Sequence, residues 1–300
     1  MIVVTTPTGF IGSKLVGDLL AVGERVRVIV RDPNKLAPPL RAQVDAIQGS
    51  SDDPAVLERA LAGAESIFLV VPPTLSAPDM NAHYLGFTRP VIAAMQQNGV
   101  KRVVTVSGVG RRVDVNAGPV SSGFAKDEEL ERAGLDVRAL WCPGFMENVL
   151  RSVESLRTQS AFFGPSRPEL RAPYVATRDI AAVAARWLCD RTWRGPGGIA
   201  VLGPEDLSLD DQAHIMSEVL GRPIRYQQVP VEGYKAQLLR YGASEDFAQG
   251  LVDMLAAKDD GLDSSEPRTR ENTTPTSFRE WCSSVLKPAF RCFGALRDDA

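Results

Sequence analysis

The chain has 300 residues, 44% hydrophobic and 24% charged, enough apolar material to bury a sizeable core in one large domain or in a domain with a smaller partner. A formal net charge of −3 leaves no basic excess for nucleic acid, and no apolar run approaches the length that a membrane-spanning helix needs. Because the sequence opens directly on a strand-like run, without a secretory signal, we expect a cytoplasmic protein, monomeric or homodimeric, with neither nucleic acid nor membrane as a partner.

Cysteine and histidine usage gives no sign of a metal centre. The two histidines are too few for a histidine-rich site, and the cysteines lie far apart, without the spacing of metal ligands. These cysteines are Cys142, Cys189, Cys282 and Cys292. We therefore expect structural thiols and no bound metal.

The first predicted strand runs into a glycine-bearing turn that precedes a helix. The turn reads Thr6-Pro7-Thr8-Gly9-Phe10-Ile11-Gly12. Such a turn aims free backbone N–H groups and the positive end of the helix at one point, which suits a pyrophosphate. Gly9 would let the backbone approach the phosphates, and Gly12 would let the helix pack closely on the strand. The turn predicts a dinucleotide site, although Thr6 stands where the usual first glycine would be.

The second predicted strand ends at Arg31, the position at which such folds contact the adenosine ribose. An arginine there can pair with a 2′-phosphate, so Arg31 favours NADP(H) over NAD(H), with Lys35 as a second phosphate contact. Asp32 leaves the choice open, because its carboxylate could instead fold back to the ribose. In the alternative interpretation Arg31 is only a solvated charge at the end of a strand.

Strands and helices alternate up to about residue 145. Strands are predicted at 2–5, 26–30, 44–48, 66–71, 102–107 and 136–141, and helices at 12–22, 53–62, 80–98 and 123–133. Pro90 is expected to kink the last-but-one helix or to divide it. The alternation predicts an α/β, Rossmann-type, doubly wound parallel sheet, with residues 1–145 as the nucleotide-binding domain.

Beyond residue 145 the pattern becomes mainly helical. Strands are predicted at 199–202 and 223–229, and helices at 147–157, 179–188, 207–220, 231–241, 245–257 and 276–285. Asp179 is predicted either to cap the second of these helices or to pair locally. Residues 146–300 are therefore predicted to form a smaller C-terminal substrate lobe, interleaved with the sheet, with a disordered tail from about residue 288.

Several separated stretches resemble the NmrA-like group of atypical short-chain dehydrogenases, which includes quinone reductases and triphenylmethane-dye reductases. They are the turn at 6–12, Val30-Arg31-Asp32-Pro33, Gly99-Val100-Lys101-Arg102-Val103-Val104 running to Ser107, Gly134-Leu135, Pro143-Gly144-Phe145-Met146-Glu147-Asn148, Thr177-Arg178-Asp179-Ile180-Ala181, Leu202-Gly203-Pro204-Glu205 and Pro275-Thr276-Ser277-Phe278. Together they span nearly the whole chain.

The resemblance implies NADP(H) at the carboxyl edge of the sheet and a second substrate near the nicotinamide, under the C-terminal lobe. The predicted cofactor-binding residues are Thr6, Thr8, Gly9, Phe10, Ile11, Gly12, Arg31, Lys35, Val71, Pro72, Ser107, Pro143 and Phe145. Two departures concern the cofactor: Thr6 replaces a glycine, and Ser50 and Ser51 stand where relatives commonly carry an aspartate near the adenine.

A further departure concerns catalysis. Ordinary short-chain dehydrogenases use a tyrosine four residues before a lysine, and no tyrosine of this chain has a lysine at that spacing. Ser107 is retained at the end of the fifth strand. Lys126 is a candidate for the missing lysine, although a solvated helix lysine is the commoner interpretation.

Three other residues are candidates for the substrate side. Asn148 follows the sixth strand and is predicted either to orient a substrate oxygen or to belong to a structural turn. His83 could reach the nicotinamide or be an exposed helix residue. Tyr174 could offer its phenol to the pocket or pack in the core.

Three functions are compatible with these features. The first is an NADP(H)-dependent oxidoreductase acting on a quinone or polycyclic aromatic substrate, which needs little acid help and fits a tailoring enzyme of aromatic polyketide or antibiotic biosynthesis. The second is a tailoring enzyme on the same fold that couples two aromatic units. The third is a non-catalytic regulator that senses NADP(H).

Overall fold

The computed structural model describes residues 1–111 and 113–295. Seven parallel strands form the central sheet, in the order β10-β6-β5-β4-β1-β2-β3. They are β1 (Ile2–Val4), β2 (Val26–Val30), β3 (Asp45–Gln48), β4 (Ser66–Leu69), β5 (Arg102–Gly108), β6 (Asp136–Cys142) and β10 (Gly197–Ala200). The first six confirm the predicted strands to within two residues at either end.

Helices cover both faces of this sheet, which confirms the doubly wound fold class. In chain order, the helices of the described residues are α1 (Phe10–Ala21), α2 (Pro38–Arg41), α3 (Pro54–Leu61), α4 (Met80–Gln97), α5 (Pro119–Arg132), α6 (Val153–Thr158), α7 (Thr177–Cys189), α8 (Leu209–Leu220), α9 (Val231–Arg240), α10 (Glu245–Asp259), α11 (Phe278–Trp281) and α12 (Lys287–Ala295). Apolar side chains of α1 and α7 pack with the sheet in one buried cluster, and those of α3 and α4 pack with it in another. Strands buried on both faces are mainly apolar, as in the fully buried β1 and in β4, where only the first residue, Ser66, is polar.

The second half of the chain adds two small sheets and a third core. The remaining strands are β7 (Gly144–Phe145), β8 (Ala161–Gly164), β9 (Ala172–Val175), β11 (Asp206–Leu207) and β12 (Arg225–Gln228). They pair in the orders β11-β9-β7 and β12-β8. The stacked rings of Phe278 and Trp281 lie in this core, and neither side chain is exposed.

Several predicted elements differ in the structure. The segment predicted as a helix at 147–157 is a 3-10 helix (Met146–Ser152) followed by α6, and β7, β8, β9 and β11 were not predicted at all. Asp179 does not cap α7, because the helix begins two residues earlier at Thr177, after Ala176. Instead, the Asp179 carboxylate accepts hydrogen bonds from the Thr276 backbone N–H (3.0 Å) and hydroxyl (2.8 Å).

Two further predictions concern helices. Pro90 lies inside α4, which continues through it as one helix, so the predicted division is wrong. The tail predicted from about residue 288 is helical as far as Ala295, and its last residues, 296–300, lie outside the described residues. Within the described part of the chain, no helix is both long enough and apolar enough to cross a membrane.

Candidate active site

The carboxyl ends of five neighbouring strands bring the main predicted residues into one row. Pro143 follows β6, Ser107 lies near the end of β5, Pro72 comes after β4, Thr6 after β1 and Arg31 after β2. Because these strands are parallel and adjacent, neighbouring ends are about 4.8 Å apart. The strand order reverses between β1 and β4, and a ligand of an open α/β sheet binds outside such a reversal.

The glycine-bearing turn lies at this reversal and has a tightly specified backbone. The Thr5 hydroxyl donates to the Phe68 carbonyl (3.0 Å) and accepts from the Val70 N–H (3.0 Å), which holds the start of the turn against the chain leaving β4. Thr6 has φ +49°, in the left-handed region that glycine usually occupies. A Cβ on Gly12 would stand 2.2 Å from the Thr6 carbonyl oxygen. The turn therefore requires glycine at position 12.

The start of α1 is suited to an anion. Its N-cap is Gly9, no side chain caps its first turn, and that turn contains no acidic residue. The first N–H groups of an α-helix have no partner inside the helix, so here they are available to a phosphate. Thr8, Gly9 and Phe10 are exposed, whereas the Ile11 side chain is buried in the core and leaves only its backbone for a ligand. The residues present fit the pyrophosphate of a dinucleotide.

At the end of β2, the exposed side chains are cationic. Arg31 and Lys35 are both exposed, and no described residue bonds to the Arg31 guanidinium. The Asp32 carboxylate accepts from the Asn34 backbone N–H (3.0 Å) and so caps the short helix that follows it. Asn34 in turn accepts from Arg41 at 2.9 Å. Asp32 therefore has a local capping role, and its contact with the ribose stays a prediction.

The segment after β4 holds the second group of predicted cofactor contacts. The Val71 side chain is buried in the core, and Pro72 is half-buried. His83 Nε2 lies 2.9 Å from the Pro72 carbonyl oxygen and 3.5 Å from the Thr74 hydroxyl. His83 is thus half-buried and tied to this segment, in a position to hold it in place.

Ser107 and Lys126 belong to one buried polar cluster between β5 and α5. The Ser107 hydroxyl donates to Asp127 Oδ2 at 2.6 Å, and Lys126 Nζ lies 3.0 Å from Asp127 Oδ1. Lys126 also donates to the Thr105 hydroxyl and to the Val106 carbonyl (2.9 Å). Only 1% of the Lys126 residue is exposed, so the interpretation of Lys126 as a solvated helix lysine is wrong. The residue four positions before it is a serine, Ser122, which offers no phenol.

The predicted site residues that follow β6 differ in how far their side chains are exposed. Pro143 is buried, Phe145 in β7 packs partly against the main core, and Asn148 is exposed in the 3-10 helix. Tyr174 in β9 lies beside Gly144, where an added Cβ would stand 2.9 Å from its ring. Burial raises the pKa of the Tyr174 phenol to about 12, which makes it a weak acid. Tyr174 packs against the third core, in agreement with the alternative in which its side chain packs in the core.

Two features were not predicted from the sequence. Asp127 is completely buried, yet nothing in its sequence context distinguishes it from the exposed Glu128 and the half-buried Glu129 and Glu131 that follow it in α5. A cavity of about 420 Å³ lies where the starts of α4 and α5 meet α10. Its lining residues include Asp79, Met80, Ser121, Ser122, Asp246 and Gly250.

Comparison with known proteins identifies related sequences. The model of the NmrA-like family matches residues 1–282. The chain is 28% identical to the NAD(P)H azoreductase of Xenophilus azovorans over 263 residues, 85% of this chain and 86% of that protein. It is 30% identical to the (4-alkanoyl-5-oxo-2,5-dihydrofuran-3-yl)methyl phosphate reductase of Streptomyces griseus over 249 residues, 80% of each chain.

Solved structures with the same fold cover nearly the whole chain. The NADPH complex of an NADPH-dependent quinone oxidoreductase from Escherichia coli gives a TM-score of 0.77 at 23% identity, covering 95% of this chain and 100% of that one. The NADP(H) complex of the triphenylmethane reductase from Citrobacter sp. gives 0.73 at 21% identity, covering 97% and 99%. At these identities the likeness establishes the fold.

Proposed function

The chain belongs to the NmrA-like family, and on that premise we propose that it is an NADP(H)-dependent oxidoreductase that reduces a quinone or another extended aromatic acceptor. The two related reductases named above support reduction by a nicotinamide cofactor. The likeness to the quinone and triphenylmethane reductases supports an aromatic acceptor.

The observation that carries the proposal is the uncapped start of α1 at the strand-order reversal, with an unpaired arginine at the end of the next strand. The backbone N–H groups of Phe10, Ile11 and Gly12 would bind the pyrophosphate. Arg31 would pair with a 2′-phosphate, with Lys35 close by in sequence, while Asp32 is engaged as a cap. This charge pattern favours NADP(H) over NAD(H).

The remaining residues favour an acceptor that needs little proton donation. Bound NADPH supplies the hydride. No tyrosine occupies the position four residues before Lys126, and burial raises the pKa of the Tyr84 and Tyr174 phenols, so neither is a good acid at neutral pH. A quinone or an extended aromatic cation accepts a hydride readily once the two rings are held together.

Candidate roles on the substrate side follow from position along the row. Ser107 lies on the strand beside β4, next to the predicted nicotinamide site, with Lys126 buried behind it. His83 would hold the segment after β4 in place, and the exposed Asn148 would orient an oxygen of the acceptor. A tailoring step in aromatic polyketide or antibiotic biosynthesis is a narrower form of the same proposal.

Titration followed by rapid kinetics tests the function directly. NADPH and NADH would be titrated first, and the NADPH complex then mixed in a stopped-flow instrument with quinones, naphthoquinones, polycyclic phenols and an azo dye. We expect rapid oxidation of NADPH by at least one aromatic class. Tight binding without oxidation by any acceptor would instead indicate the NADP(H)-sensing regulator, and formation of a dimeric aromatic product would indicate the coupling enzyme.

The choice of cofactor is tested by Arg31→Ala. A charge-assisted contact to phosphate contributes about 1.5–3 kcal/mol, so we expect NADPH affinity to fall roughly 10- to 100-fold while NADH affinity hardly changes. Arg25→Ala is the matched control, because this exposed arginine lies at the opposite end of the same strand. Equal losses for NADPH and NADH in the Arg31 variant would contradict the assignment of a 2′-phosphate contact.

A further inference from the structure

The Ser107 hydroxyl has a fixed hydrogen-bond polarity in this structure. A serine hydroxyl carries one hydrogen to donate and two lone pairs to accept. Ser107 donates that hydrogen to Asp127 Oδ2 at 2.6 Å. An ionised carboxylate only accepts, so the direction of this bond cannot reverse while Asp127 keeps its charge.

The surroundings of Asp127 place a cation directly beside its carboxylate. The Lys126 ammonium lies 3.0 Å from Asp127 Oδ1, and its other bonds, to Thr105 and Val106, anchor it on β5. Neither member of this ion pair is more than 1% exposed. Two further charged groups lie on the same side of α5, the Arg111 guanidinium and the Glu131 carboxylate, and they bind each other through two hydrogen bonds of 2.7 Å.

A buried ion pair is weak evidence for a purely stabilising role, because apolar residues of similar volume often stabilise a fold equally well. This pair lies directly behind the half-buried hydroxyl of Ser107, at the carboxyl edge of the sheet. There the pair holds the hydroxyl hydrogen of Ser107 in a hydrogen bond to the buried Asp127. What Ser107 presents to a ligand at this edge is therefore only its lone pairs.

We propose, on the basis of the proposed function, that Asp127 is a positioning residue that fixes Ser107 as a hydrogen-bond acceptor. The ligand group bound at Ser107 is then an N–H or O–H donor. A carbonyl oxygen of the acceptor, which needs a donor, would not bind there. Two sources can provide the donor: the carboxamide N–H of the nicotinamide, or a hydroxyl group carried by the aromatic substrate.

Matched ligand pairs distinguish the two sources. The cofactor pair is NADPH and its analogue with an acetyl group in place of the carboxamide, compared by binding affinity alone. The substrate pair is a naphthoquinone with a hydroxymethyl group and its methyl ether, compared by kcat/KM. We expect the wild type to prefer the donor-bearing member of one pair by about tenfold, the effect of one satisfied hydrogen bond.

Four variants assign that preference to the two residues. Ser107→Ala and Asp127→Ala are each expected to reduce it to less than about twofold. Because Asp127→Ala leaves a buried ammonium unpaired and could unfold the protein, Lys126→Met/Asp127→Ala repeats the test without a buried charge. Glu131→Gln, one helical turn further along α5 and not bonded to Ser107, is the control that should keep the full preference.

The outcomes separate this inference from the function on which it rests. No preference in the wild type for either pair, or a preference that survives either Ser107→Ala or the double variant, overturns the inference. If the wild type prefers NADPH over the acetyl analogue and both Ser107→Ala and the double variant lose that preference, the role of Asp127 is supported. If in addition no acceptor oxidises the bound NADPH, the reductase function is overturned. A wild type that binds neither cofactor overturns both.

Discussion

Gly12 is the residue of the nucleotide turn that tolerates replacement least. A Cβ there would stand 2.2 Å from the Thr6 carbonyl oxygen and 2.9 Å from the carbonyl carbon, and neither backbone atom can rotate away. We expect Gly12→Ala to displace the turn and to lower the free energy of unfolding by about 1–3 kcal/mol. The displaced turn should also weaken NADPH binding by about tenfold or more. Chemical denaturation and NADPH titration measure the two effects.

Gly17→Ala is the control for that prediction, because Gly17 lies on the same helix, α1, and a Cβ there meets no atom within 4 Å. Alanine forms helix better than glycine by about 0.8–1 kcal/mol, so this variant should be slightly more stable and should bind NADPH normally. Similar losses in both variants would show that α1 tolerates no methyl group anywhere, and that the close approach at Gly12 is not the cause.

Residues differ in how far their roles could be predicted from the sequence. The turn and Arg31 could be placed because each depends on short spacings next to a recognisable strand. The burial of Lys126 could not, because lysine in a helix is usually solvated and its partners Thr105 and Val106 come from a strand about 20 positions away. Asp127 was missed for the same reason. The roles assigned to the candidate site residues stay predictions.

At the scale of secondary-structure elements, α7 is tied to the segment before α11 by two adjacent side chains, because the Asp179 carboxylate and the Arg178 guanidinium both bond to Thr276. Asp179→Ala would leave the buried backbone N–H of Thr276 and its hydroxyl without their acceptor. Unsatisfied buried donors and a lost charge-assisted bond together cost about 2–4 kcal/mol. We expect that loss in the free energy of unfolding, measured by urea denaturation, with a lower midpoint and an unchanged slope.

The matched control is Asp210→Ala, which removes an exposed acidic residue from the first turn of α8. It should cost only the interaction with the helix dipole, about 0.3–1 kcal/mol. If Asp179→Ala were no worse than this control, the contacts of Asp179 with Thr276 would contribute little, and α7 would be held by its apolar face and by the bonds of Arg178 to Thr276 and Glu280.

The elements that the sequence revealed are those with a long periodic pattern. Most strands of the large sheet are mainly apolar and lie between helices, and they were predicted to within two residues. In contrast, β7 and β11 have two residues each, and β9 contains Pro173, so neither alternation nor length marks them. The strands of the two small sheets pair with distant segments of the chain, as β8 does with β12. No local sequence pattern encodes such pairing.

At the scale of the whole molecule, the two halves of the sequence share one sheet. Strand β10 follows α7 in the chain, yet it pairs with β6 in parallel, and α1 packs with α7 in one apolar cluster. The division into a nucleotide-binding domain and a C-terminal lobe at residue 145 stays a prediction. If the division at residue 145 separates two functions but not two independently folding units, the shared sheet should make the two halves unfold together.

We therefore expect a single calorimetric transition, and NADPH should move it as a whole. Ligand that binds only the native state at 100 times its Kd adds about 2.7 kcal/mol, which for a chain of this size raises Tm by roughly 5 °C. The Arg31→Ala variant should lose most of that shift at the same NADPH concentration, and Arg25→Ala should keep it. Two transitions of which NADPH moves only one would show instead that the halves unfold separately, since a ligand stabilises only the cooperative unit to which it binds. In that case the β6–β10 pairing would be too weak to couple the nucleotide site to the rest of the fold.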